Sequence, residues 1–179
     1  SVSRQAAVCC GSQEHELRQG HLDAAKRHEE MARHLAKVEG LLEAESRSRL
    51  NREIEPRLSG ADPAMEHLNA SVAAFFGTQV RHLSGLAGKS GTFAEQVMCH
   101  PIYLALCDHV LLPNCAEYQL NLAHLMERGP GAMAQALHRD EDVWIHFPRP
   151  RPELMLASVV ALVDFTRDNG ATVVVPGSH

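Results

Sequence analysis

From Leu154 to Phe165 nearly every residue is apolar, and the run leads into Asp168-Asn169-Gly170 and then the β-branched Thr172-Val173-Val174-Val175. Asn-Gly supplies the positive-φ residues that a tight turn needs, so the two flanking segments are expected as antiparallel neighbours. Upstream, Tyr118, Leu120, Leu122 and Met126 alternate with Gln119, Asn121 and Ala123. A period of two marks another strand, with Asn121 on the face opposite the leucines. Gly129-Pro130-Gly131 makes a turn and a second extended segment runs from Ala134 to Asp140, before Pro148, Pro150 and Pro152 break the chain.

Before Tyr118 the period is helical. Leu17, Ala24, Ala25, His28, Met31 and Leu35 form a stripe in the charged stretch 14–36, which reads as a surface helix. Val38 to Leu42 is short and apolar enough for an edge strand, and Glu43 to Leu58 is helical, with Leu50 and Ile54 an i,i+4 pair and Pro56 ending the pattern. Glycines and Pro63 punctuate 59–92, which is expected to be loop-rich. Phe93, Val97, Leu104, Cys107 and Leu111 predict a helix from Thr92, as N-cap, to about Leu112, stopped by Pro113. Helices first and antiparallel strands afterwards predict an α+β chain with a sandwich or jelly-roll core.

Composition narrows the function. The 179 residues, 45% hydrophobic, suit one globular domain rather than a disordered chain or a rod. Seventeen Lys and Arg against 22 Asp and Glu give a net charge of −5 without a basic run, which argues against nucleic acid or an anionic membrane as partner. Leu154 to Val163 is about half a membrane span, and Ser1 to Gln13 lacks the apolar core of a signal peptide. Five Cys with no CxxC pair fit a reducing, cytoplasmic compartment. The chain starts without Met and stops just after a β-branched run, so it is expected to be a piece of a longer polypeptide.

The sharpest chemical feature is His138-Arg139-Asp140. In an extended segment residues i and i+2 share a face, so this imidazole and carboxylate can reach one point. With a second imidazole from elsewhere they make the facial triad of non-heme Fe(II) oxygenases. HxD alone is a short motif that chance can supply. Other metal patterns are weaker: His21, His28 and His34 sit on a charged surface helix, and Cys99, Cys107 and Cys115, eight apart, read as structural thiols. A zinc hydrolase lacks support, because no HExxH or paired-Cys motif occurs.

From Leu35 to His179 the chain resembles the phytanoyl-CoA dioxygenase family of Fe(II)- and 2-oxoglutarate-dependent enzymes. The matching words are Gly40-Leu41-Leu42; His100-Pro101 opening the segment that ends at Leu111-Leu112; Gln135-Ala136-Leu137-His138-Arg139-Asp140; and Asp164 through Thr172 leading into Val175-Pro176-Gly177-Ser178-His179. The resemblance implies helices packed on a double-stranded β-helix (jelly-roll, cupin-like) core, incomplete at its C-terminus. Residues 1–36 would be a helical N-terminal segment, 37–117 a helical and loop region, and 118–179 the first part of the core, all in one partial domain. It further implies His138 and Asp140 as iron ligands, Gln135, Thr172, Asn121 and Arg81 as 2-oxoglutarate contacts, and Trp144 as substrate-facing. For Gln135 and Thr172 the plainer role is satisfying backbone groups in a turn, and for Trp144 that of a rim aromatic.

The family's second histidine ligand, and the arginine that holds the far carboxylate of 2-oxoglutarate, match no position here; His179 falls in the Pro-Gly-Ser-His turn instead. The implied activity is hydroxylation of an unactivated C–H bond of a small organic substrate by O2, with release of succinate and CO2. Asp140 argues against halogenation, since related halogenases carry Gly or Ala there. The partners expected are that substrate and O2, with a homodimer left open. Arg149 and Arg151 are expected in a solvated loop. The rival reading is a non-catalytic fragment or pseudoenzyme that serves as a binding module.

Overall fold

Two kinds of surface meet in this chain: a four-stranded antiparallel sheet and the helices that cover one of its faces. The computed structural model describes residues 3–12, 39–61 and 69–175. The strands are β1 (Ser3–Ser12), β2 (Val80–Ser84), β3 (Tyr118–Arg128) and β4 (Met155–Ala161), in the spatial order β2-β3-β1-β4. The helices are α1 (Ala44–Leu58), α2 (Ala70–Phe76) and α3 (Pro101–Leu111). The mixed α+β class is therefore as expected. Among the described residues there is one sheet, not the two of a jelly roll.

The core lies between the helices and one sheet face. Leu50, Ile54 and Leu58 of α1 are fully buried, at the i, i+4, i+8 spacing of one helical stripe. They pack with Phe93, Val97, Tyr103, Cys107 and Leu111 on one side and with Leu83, Ala123, Leu125 and Val160 of the sheet on the other. Helix α1 is tied down by Glu53, whose carboxylate accepts from Ser90 Oγ at 2.6 Å, Thr92 Oγ1 at 2.8 Å and Thr92 N at 3.1 Å. Burial raises the pKa of this carboxylate, but the hydrogen bonds from Ser90, Thr92 and Arg49 outweigh it and bring the group down to about 2.

The buried polar centre of the helix-facing side is Glu127. Register places Arg4 of β1 and Arg81 of β2 directly opposite it on either side, and both guanidinium groups bond its carboxylate. Arg4 also reaches Glu55 Oε2 at 3.1 Å and Asn51 Oδ1 at 3.0 Å on α1, so the ion cluster joins three strands to the helix. Asn51 in turn donates to the Leu162 carbonyl just after β4, at 3.1 Å.

Several local expectations change. Residues 3–12, placed in a helical segment, form the inner strand β1, paired with both β3 and β4. The helix expected over 14–36 lies outside the described residues. The edge strand at Val38 to Leu42 is replaced, over 39–42, by a turn around Gly40, whose φ of 68° suits glycine. Pro56 does not end α1, which runs on to Leu58. The loop-rich span 59–92 contains α2 and β2, because α2 has an Asn69 cap and β2 gains a ladder partner in β3.

The single helix from Thr92 to Leu112 is two pieces. Ser90, not Thr92, caps the turn Gly91–Phe93, which widens into a π segment over Ala94–Met98. His100 is then extended (ψ 128°), as the residue before a proline prefers, and its imidazole caps α3 by accepting from Ile102 N. Cys107 and Cys115 are buried as expected, whereas Cys99 is exposed.

In β3 the alternation exists, but the helices cover the side of Ala123 and Leu125; Leu120 and Leu122 remain 37% and 39% exposed. Asn121 is the extra residue of a bulge, where the register with β1 shifts between Cys9 and Cys10. The turn at Asp168-Asn169-Gly170 forms, with Gly170 at φ 72°. Buried Asn169 closes it by donating to the Asp164 carbonyl at 2.7 Å and accepting from Thr166 N. Residues 171–175 do not join the sheet as a strand, and Val173, Val174 and Val175 are exposed.

Glu127→Ala leaves two arginines facing each other across the sheet without their counter-ion. Removing one partner of a buried ion cluster is expected to cost about 3 kcal/mol or more, measurable by urea denaturation; a loss within error of an exposed-site variant such as Glu117→Ala contradicts the central place given to this cluster.

Candidate functional site

The other face of the sheet carries His82 of β2, Leu122, His124 and Met126 of β3, and Val159 of β4, as the register and the alternation of side chains require. One end of this face is covered. Gly129 N donates to the Gln79 carbonyl at 2.8 Å, turning the chain back over the sheet, and Arg128 Nη2 donates to the Met133 carbonyl. The segment 132–139, extended at Arg139, then runs on without joining a ladder.

His138 and Asp140 stand on this side, at the end of that segment and the start of the 3₁₀ turn Asp140–Trp144. His138 is linked to the sheet through a chain of ring contacts. Its ring meets Phe75 edge-on at 4.8 Å, Phe75 meets Phe76 at 5.3 Å, Phe76 meets His82 at 5.0 Å, and His82 meets His124 at 4.6 Å. Helix α2, which the glycine-rich sequence hid, thus supplies the wall behind the imidazole.

The hydrogen bonding of His138 defines what it can do. Nδ1 lies 2.7 Å from the Ala136 carbonyl, a partner that can only accept, so Nδ1 carries the proton. In the neutral ring Nε2 is then a lone-pair donor, and it faces Asp140 Oδ1 at 3.4 Å. Two lone-pair-bearing atoms at that distance repel unless a proton or a metal cation lies between them. A backbone carbonyl fixing the remote ring nitrogen is also the usual support for a metal-ligating histidine. Both side chains are open to solvent, at 37% and 55% exposure, so an incoming cation has access. These two groups therefore fit a divalent metal as far as two ligands go; among the described residues no cluster of three His, Cys, Asp or Glu suits a metal ion.

The loop after Asp140 is held from below. Arg151, expected to be solvated, has a side chain only 7% exposed; it pairs with Glu141 at 3.3 Å and donates to the Trp144 carbonyl at 2.9 Å. Arg149 pairs with the same Glu141 at 3.2 Å. The prolines obscured this clamp, whose only sequence signal is Glu141 eight and ten residues ahead of two arginines. Trp144 packs against His146 and Phe147, and its indole N–H is buried without an acceptor among the described residues.

The remaining expected contacts divide. Gln135 is half-buried on the same segment, three residues before His138. Thr172 donates to Gln5 Oε1 at 2.6 Å, which fastens the chain after the Gly170 turn to β1 rather than to a backbone group. Arg81 and Asn121 are not brought to His138: Arg81 is held on the helix-facing side by Glu127 and the Leu58 carbonyl, and Asn121 sits exposed in the β3 bulge. His179 lies outside the described residues, as do His21, His28 and His34.

His124 is a titratable group that sequence reasoning did not single out. Burial, reinforced by the neighbouring His82, pushes its pKa down to about 4. A folded pKa below the ordinary 6.5 means that the unfolded chain takes up the proton first. The stability that neutral His124 contributes is therefore complete above about pH 6.5 and is lost as pH falls toward 4. In urea titrations His124→Phe is expected to flatten the decline over that window, and an unchanged decline contradicts the assignment.

Residues 27–179 match the family model for phytanoyl-CoA dioxygenase (PhyH). The chain is 34% identical over 145 residues to dioxygenase aneA of Aspergillus aculeatus, a match covering 79% of this chain and 49% of that protein. It is 38% identical over 104 residues to dioxygenase trt7 of Aspergillus terreus, covering 56% and 36%. With dioxygenase olcK of Penicillium canescens the identity is 31% over 145 residues, covering 79% and 48%. The chain spans about half the length, or less, of these curated relatives. Among the described residues no helix is long and apolar enough to cross a membrane.

Proposed function

This chain belongs to the phytanoyl-CoA dioxygenase (PhyH) family, and we propose that it carries part of the catalytic core of an Fe(II)- and 2-oxoglutarate-dependent dioxygenase. The reaction proposed is hydroxylation of an unactivated C–H bond of a small organic substrate by O2, with succinate and CO2 as co-products. The observation that carries this reading is the apposition of His138 Nε2 and Asp140 Oδ1 at 3.4 Å, with Nδ1 already committed to Ala136.

On this reading His138 and Asp140 are two of three protein ligands, and the third comes from outside the described residues. Bound Fe(II) would supply the activation of O2 that no side chain of this chain can perform. The protein's own part is positional. Ala136 fixes the imidazole tautomer, Phe75 fixes the ring plane, and the Arg151–Glu141 clamp sets the turn that carries Asp140. Gln135 is proposed to meet the cosubstrate from the strand side and Thr172 from the turn after Gly170. Trp144 is proposed to face the substrate. The sheet is read as one half of a double-stranded β-helix, whose second half would cover Leu122 and Val159 and pair with 171–175.

Anaerobic addition of Fe(II) and then 2-oxoglutarate to the complete polypeptide is expected to give the weak visible charge-transfer band of a chelate. A well-folded protein without that band contradicts the reading. Asp140→Ala is expected to abolish succinate formation coupled to substrate, and to weaken Fe(II) binding at least tenfold, roughly one lost ligand. Full coupled turnover by that variant contradicts the role proposed for Asp140.

A further inference from the structure

A cavity of about 270 Å³ that involves neither His138 nor Asp140 opens between two glycine turns, Gly129–Ala132 after β3 and Asp168–Gly170 after β4. Arg128, the last residue of β3, lines it. The residue is only 8% exposed, and burial pushes its guanidinium pKa below the ordinary value. Its Nη2 donates to the Met133 carbonyl, a neutral acceptor. Among the described residues no carboxylate lies within ion-pair distance of it.

The other covered arginines are treated differently. Arg4 has Glu127 and Glu55, Arg81 has Glu127, and Arg151 has Glu141. A guanidinium carries five N–H donors in a planar fork, and burying that charge without a counter-ion is costly. The cavity gives the missing anion room. Gly131 has φ 81° and a Cβ there would meet nothing within 4 Å, so no side chain fills the space above the turn. Gly170, with φ 72°, brings its backbone against the guanidinium, where a Cβ would stand 3.8 Å from Arg128 Nε.

The exposed carboxylate of Asp168 also lines the cavity. It disfavours a dianion and leaves a singly charged, planar group as the better occupant. We infer that this cavity is a binding site for the carboxylate group of a small organic acid, taken by the fork of Arg128 between the two turns. Carboxylate matches the guanidinium plane and can accept two parallel N–H bonds. The site does not depend on iron and is tested without it.

The test is thermal unfolding and calorimetric titration of EDTA-treated protein with sodium propionate, against sodium chloride at equal ionic strength and against inorganic phosphate. Propionate is expected to raise Tm saturably, chloride not at all, and phosphate to bind more weakly. Arg128→Gln is expected to lower propionate affinity roughly tenfold or more, and Asp168→Asn to raise it a few-fold. If Arg128→Gln fails to fold, the exposed Asp168→Asn variant decides, and affinity unchanged by it overturns the inference. So do equal Tm values in propionate and chloride, propionate affinity retained by Arg128→Gln, or phosphate binding as tight as propionate.

Discussion

A single buried carboxylate, Glu127, sits between two arginines that belong to neighbouring strands, and the arrangement of the sheet follows from satisfying it. Arg4 and Arg81 can both reach it only if β1 and β2 flank β3 in the observed register. A slip of one residue would put each guanidinium on the opposite face and leave the carboxylate alone in the core, a cost larger than most single contacts repay. The same cluster reaches α1 through Glu55 and Asn51, so the helix layer and the sheet are aligned by ionic contacts as well as by burial of Leu50, Ile54 and Leu58.

With that face committed to helices, the other is free to carry chemistry. The turn after β3 returns the chain over it, and two arginines at its borders serve different ends. Arg151 is neutralised by Glu141 and holds the turn that begins at Asp140. Arg128 donates to the Met133 carbonyl near the start of the segment that follows and, among the described residues, keeps most of its donors uncommitted. Between these two fixed points the backbone of 134–139 makes no ladder. The placement of His138 therefore rests on local bonds, its own Nδ1 to Ala136 and the edge of Phe75. The pair stands at the sheet's covered end rather than within a strand, and both side chains remain open to solvent there.

The HxD pair was legible because a two-residue spacing keeps its geometry in any extended backbone, whether or not a ladder forms. The Asp168-Asn169-Gly170 turn was legible for a similar reason: only glycine tolerates φ 72°, and asparagine can satisfy the turn's own backbone. The stripe of α1 was plain from Leu50 and Ile54. Less could be read between 59 and 92, where glycines mask a short capped helix and an edge strand whose pairing partner lies some 40 residues away. Arg81 was expected to reach the cosubstrate from across that loop, and the register turns it toward Glu127. The opening strand β1 was missed outright, because its ladder partners in β3 and β4 are more than a hundred residues distant.

Spacing along the chain, then, determined the features whose physics is local: the period of α1, the alternation in β3, the glycine turns, and the meeting of His138 with Asp140. Tertiary structure alone decided which face of the sheet is buried, which arginine has a counter-ion, and what stands behind the imidazole. These depend on electrostatic and packing energies between residues far apart in sequence. Strand alternation allows either face to be the inner one until a charge such as Glu127 must be paired.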